Sequence, residues 1–180
     1  MSIQDKFDIV VKSVAVLGGL IAAFRVIYEL RQNTRQRQQE LRWRQANSAK
    51  ELINRLEESQ LASDAMIMFD WTGREFEIAP KVFEAISFHD VKKALRITNT
   101  VFSDKETYIR DCTDAFLFEM EFMEQAIRND LTQFKDLIFP MKYCIDSMKQ
   151  HDIYDSFVEF VKEYGYTGSY SFVQRLTTNG

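Results

Sequence analysis

Glycine and proline are both scarce, six and two in 180 residues, and the alternation of Val, Ile and Thr between turn clusters that marks a strand is rare. The composition therefore leans to helix. Cysteine is equally sparse: Cys112 and Cys144 show neither CxxC nor Cys/His spacing, which leaves no metal knuckle and no disulfide framework. Both are expected as buried thiols on the reducing side of a membrane. Histidine occurs twice, at 89 and 151, outside any HExxH or ExxH pattern, and GxxxxGK[ST], GxGxxG and GxSxG are absent. These gaps argue against the common nucleotide-binding and hydrolase classes, and no cofactor and no metal is expected.

What is present is apolar and aromatic: 46% hydrophobic, 13% aromatic, with 15 Phe and seven Met. That is enough for a packed core in one domain with a short appendage. The net charge of −4 conceals a polarity along the chain. Residues 31–50 carry Arg31, Arg35, Arg37, Arg42, Arg44 and Lys50 against Glu40 alone, whereas residues 51–180 hold 14 basic and 23 acidic side chains.

The most apolar stretch, VLGGLIAAF at 16–24, directly precedes that basic block. A removable signal would have a basic start and a small-residue cleavage site; here Asp5 and Asp8 come first and RVIYELRQ follows. A bilayer-spanning helix needs about 20 residues, and residues 9–28 supply them with Lys12 and Arg25 near the ends, where long side chains snorkel to the headgroups. Projected at about 100° per residue, Val14, Leu17, Ile21, Phe24 and Tyr28 fall on one side, and Ala15, Gly18, Gly19, Ala22 and Ala23 on the other, joined by Asp8, Lys12, Arg25 and Glu29. The spacings Ala15-xxx-Gly19-xxx-Ala23 and Gly18-xxx-Ala22 let membrane helices approach closely. This small-residue face has two readings: a packing or pore-lining face of a self-associating helix, or the ordinary Gly and Ala of a lone anchor. The arginines after the span place the C-terminal part in the cytoplasm.

From Gly19 to Gly73 the chain contains no glycine, and its first proline is Pro80, so the membrane helix (1–30) is expected to continue as a basic helical stalk (31–60), docking through Ala49, Leu52, Ile53 and Leu56 onto a helical bundle (61–180). The arginines suit a juxtamembrane segment beside anionic lipid better than a nucleic-acid patch, for which Arg42-Trp43-Arg44 is the one sign. In the bundle, Ser63-Asp64 is expected to cap a helix over 65–71. Pro80 with KVFEAISFHDVKKALRITN suggests one or two helices, and Ser103 to Glu106 forms a capping box. The helix after that box carries Ile109, Cys112, Phe116, Met120, Met123 and Ile127 at helical spacing and should be the central one. Thr132 is expected to cap the next helix, which Pro140 should kink. Glu119, Glu121 and Glu124 read as a solvated face.

One short membrane helix, a basic stalk and a helical domain with FLFEMEFMEQAIRNDL in its central helix together resemble the small membrane-anchored accessory proteins of type VI-B CRISPR systems. The resemblance implies an all-α, HEPN-like bundle on a single-pass anchor in the bacterial inner membrane. It implies assembly with copies of itself into an octameric ring with a central pore. It also implies a role in antiphage defence beside the RNA-guided, RNA-cleaving nuclease, by depolarising the membrane once that nuclease is active. Self, lipid and the nuclease are thus the expected partners, with RNA contact as a further one. A HEPN ribonuclease would carry Arg-x(4–6)-His, but Cys144, Ile145 and Asp146 precede His151 at those positions, and Val82, Phe83 and Glu84 precede His89. A degenerate site from Arg110 or Arg128 with His151 stays open as an alternative, as does a non-catalytic anchored adaptor; no catalytic residue is assigned.

Overall fold

The computed structural model describes the backbone of residues 3–98 and 101–178, and the side chains of 19, 24–98, 101–139 and 141–178. Its element order is α1 (Ile3–Glu58), α2 (Gln60–Asp70), β1 (Arg74–Ala79), β2 (Val82–Ile86), α3 (Phe88–Ala94), α4 (Asp104–Arg128), α5 (Phe134–Gln150), α6 (Tyr154–Glu163) and α7 (Thr167–Thr178). The chain divides into two compact units, 1–43 and 44–180. Among the described residues no helix is long and apolar enough to cross a membrane. The side chains of Asp8, Lys12, Ala15, Gly18, Ala22 and Ala23, on which the expectation of a span and its small-residue face rests, lie outside the described ones.

In the unit 44–180, the last turns of α1 already belong to the bundle. Ala49 and Leu56 are buried and Leu52 and Ile53 pack against the same core, as their helical spacing implies. Gln45 fastens this end: its Nε2 donates to the carbonyl of Asp130 at 3.0 Å, while its own carbonyl and Oε1 accept from Thr132 Oγ1 at 3.3 Å and Gln133 Nε2 at 2.7 Å. Thr132 is therefore occupied elsewhere and does not cap α5, whose N-cap is Gln133 without a side-chain bond.

At the centre lies α4, buried through Ile109, Cys112, Phe116, Met120 and Met123 and packed against α2, α3, α7 and β1. Phe69 of α2, Phe116 of α4 and Phe157 of α6 form an edge-on aromatic cluster, with Phe69 centred 5.6 and 5.7 Å from the other two rings. Each such buried ring contributes roughly 2 kcal/mol or more from area alone. The Ser103 capping box that opens α4 is formed as expected, and α5 bends at Phe139, next to Pro140.

Three further expectations are corrected. Of the stretch after Pro80 that was expected as one or two helices, Phe88–Ala94 is helix, but Val82–Ile86 is a strand that pairs with Arg74–Ala79 in an antiparallel hairpin, so the fold is predominantly helical with one small sheet. Pro80 opens the turn rather than a helix, Lys81 takes φ 66°, and the Lys81 amide donates to Glu77 Oε1 at 2.8 Å. The alternation of REFEIA, with Phe76 inward between exposed Glu75 and Glu77, is the strand signal that the helical spacing of Val82, Phe83 and Ile86 masked. Second, α2 starts one turn earlier than Ser63-Asp64, capped by Ser59, because Asp64 is turned inward to Tyr108. Third, Glu119 and Glu124 are buried rather than solvated, since α4 has neighbours on that side as well.

Candidate functional site

The three residues of a degenerate ribonuclease site do not meet. His151 is the C-cap of α5 and its ring stacks on Phe88, 3.9 Å between centroids and 18° from parallel. Arg110, on α4, donates to the carbonyls of Ala94 at 2.8 Å and Arg96 at 3.3 Å and to the hydroxyl of Tyr164 at 2.5 Å, and lies over the rings of Phe102, Phe160 and Tyr164. It closes the end of α3 against α6. Arg128 sits five helical turns away at about 3.6 residues each. It pairs with Glu124 at 2.9 Å and donates to Ser171 at 3.4 Å. No described hydrogen bond or ring contact joins either arginine to His151, so the general acid and the phosphate-holding cation that this chemistry needs are not brought together.

The acidic run on α4 instead forms ion pairs. Glu119, buried, takes Arg55 of α1, whose Nε lies 3.2 Å from Oε1 and 2.9 Å from Oε2, and whose guanidinium covers the Phe122 ring. Glu124, 1% exposed, accepts both Arg128 and Arg175 on Oε1, the latter at 2.8 Å. Glu121 caps α7: its Oε1 accepts the Ser169 amide at 2.7 Å, and a side chain at Gly168 would overlap its carboxylate. Periodicity could not show these roles, because the partners come from α1 and α7, far along the chain.

Two further polar clusters lie in the bundle. A cavity of about 670 Å³ between α2 and the hairpin is lined by Asp64, Glu75, Glu77, Gln60, Tyr108 and Pro80 among others. Asp64 accepts from Tyr108 at 2.6 Å and Gln60 at 2.8 Å, and burial with that bond to Asp64 pushes the Tyr108 hydroxyl well above its usual range. Near the start of α4, Glu106 receives Arg96 at 2.6 Å and the Ser103 amide at 2.9 Å, which together hold its carboxyl down at about 2. Among the described residues no three His, Cys, Asp or Glu side chains are grouped to hold a metal.

The remaining candidate is the exposed part of α1 in the unit 1–43. Phe24, Tyr28 and Leu30 are 72%, 69% and 60% exposed, and Val26 and Ile27 are exposed as well. Arg25 pairs with Glu29 at 3.0 Å, in the i,i+4 geometry its spacing predicts. A side chain at Gly19 would meet nothing within 4 Å. Further along, Arg31, Arg35, Arg37 and Arg42 are exposed and make no ion pair with any described residue. Arg44 and Lys50, in the second unit, are exposed too. This segment thus exposes apolar side chains and then a dense run of cationic ones. Comparison with known proteins adds no neighbour: no family model matches the chain, and no curated protein or solved structure matches it.

Proposed function

We propose that this chain is a membrane-anchored protein that assembles with copies of itself into a ring and forms a pore in the bacterial inner membrane, its bundle facing the cytoplasm. In this reading it enhances RNA-guided antiphage defence by depolarising the membrane when the type VI-B nuclease it resembles a companion of has been activated. The observation that carries the reading is the exposed helix: from Phe24 onward α1 exposes large apolar side chains and then Arg31, Arg35, Arg37 and Arg42, which have no ion-pair partner among the described residues. Exposed apolar surface of this kind marks a lipid or protein contact, and a cationic flank beside a span marks the cytoplasmic side. The small-residue face of 15–23 gives neighbouring helices a way to close up.

The test is assembly and flux together. Gly18→Leu with Ala22→Leu should abolish the ring, ion leakage from vesicles and protection of cells that also carry the nuclease. Unchanged assembly and protection in that variant would contradict the proposal. The ribonuclease reading has the weaker support, since Arg110 and Arg128 are engaged away from His151. It predicts RNA cleavage by the purified protein that His151→Ala removes. The adaptor reading predicts a monomer or dimer.

A further inference from the structure

We infer that the pore selects for anions, and that Arg31, Arg35, Arg37 and Arg42 set this preference at its cytoplasmic mouth. The inference rests on the pore reading and adds which ions pass. All four guanidinium groups are exposed and without an ion-pair partner among the described residues, so no described residue cancels their charge. Between residues 24 and 43 only Glu29 and Glu40 oppose them, and Glu29 is held by Arg25.

Their placement matters as much as their number. At about 100° per residue, Arg31, Arg35 and Arg42 fall within about 40° of one another, and Arg37 lies roughly 140° further round the helix. In a closed ring each helix shows one side to the lumen. With cations on two well-separated sides, turning α1 about its own axis carries one group away only as it brings the other nearer. Rotational symmetry then repeats each arginine at one height in every copy, so a single side chain becomes a ring of positive charge.

From Arg31 to Arg42 these rings extend along roughly 17 Å of helix at about 1.5 Å per residue, twice the Debye length of about 8 Å at physiological ionic strength. A cation entering the mouth therefore meets successive barriers, whereas an anion is concentrated there. Rings of Arg or Lys are the device by which anion pores choose their ions.

The experiment is a reversal-potential measurement on the full-length protein in planar bilayers under an asymmetric KCl gradient. Current should reverse near the chloride equilibrium potential. Arg31→Glu with Arg35→Glu, at unchanged particle mass, should shift the reversal toward potassium. A wild-type reversal near zero or toward potassium overturns the inference, as does a charge reversal that leaves the potential unmoved. A ring of unchanged mass that passes no current removes the pore itself and the selectivity with it, an outcome distinct from a conducting pore of the wrong preference.

Discussion

At the scale of single residues, burial decides the chemistry of the two thiols. Cys112 and Cys144 are both free and buried; desolvation pushes the Cys112 thiol up to about 12 and raises Cys144 as well. A thiol that stays protonated and shielded is a poor nucleophile. Native protein should thus resist alkylation at neutral pH and label at both positions only after unfolding; rapid labelling of the native state would contradict the packing around α4 and α5. Glu106 makes the opposite case, a carboxylate held ionised. Arg96 first, then the Ser103 amide, lowers it from 4.5 to about 2. Its contribution to stability is complete above pH 4.5 and is lost as the pH falls through about 2, where the folded carboxyl takes up its proton. Glu106→Gln should cost about 1.5–3 kcal/mol at neutral pH, the range for a charged hydrogen-bonding group. The gap between variant and wild type should close across that acidic window in denaturation followed by circular dichroism. A pH-independent gap would show that the residue acts through packing alone.

At the scale of elements, the ends of helices hold most of what spacing could and could not reveal. The Ser103 box was readable, since Ser-x-x-Glu is a strong signal. A glycine after a periodic run is another such signal, and Gly165, which follows α6, has φ +76° while the Tyr166 amide returns to the Val161 carbonyl at 3.1 Å. The same motif ends α4 and α5, but there Asp130 and Asp152 take the left-handed position, with φ 56° and 58°, and no glycine announces it. The hairpin was missed because its strands are short and one of them also matches a helical repeat. The start of α7 was hidden for another reason: its cap is Glu121, 48 residues earlier. That contact makes a sharp prediction. Glu121→Ala should cost about 1 kcal/mol, as loss of a cap does. In a Gly168→Ala background, where the added methyl already displaces the carboxylate, the same change should cost close to nothing. Equal costs in both backgrounds, measured by denaturant unfolding, would mean that Glu121 does not hold α7.

At the scale of the whole molecule, the sequence suggested an apolar start, a basic helical segment and a helical domain, because composition changes along the chain are long-range signals that need no contact map. It placed the end of the stalk at 60, whereas the second compact unit already begins at 44, for Gln45 is bound to the loop between α4 and α5 and Ala49 is buried. The acidic residues of α4 were the least legible. Whether a carboxylate on an amphipathic helix is solvated or paired depends on cations that only folding delivers, here Arg55 from α1 and Arg175 from α7. In the proposed reading, the exposed part of α1 is the surface through which the copies meet. The particle mass of the full-length protein in detergent, beside a form lacking residues 1–30, tests this most directly. A closed ring of about six or more subunits is expected, falling to a monomer when those residues are removed. A full-length monomer or dimer, or a ring that survives the truncation, would contradict it.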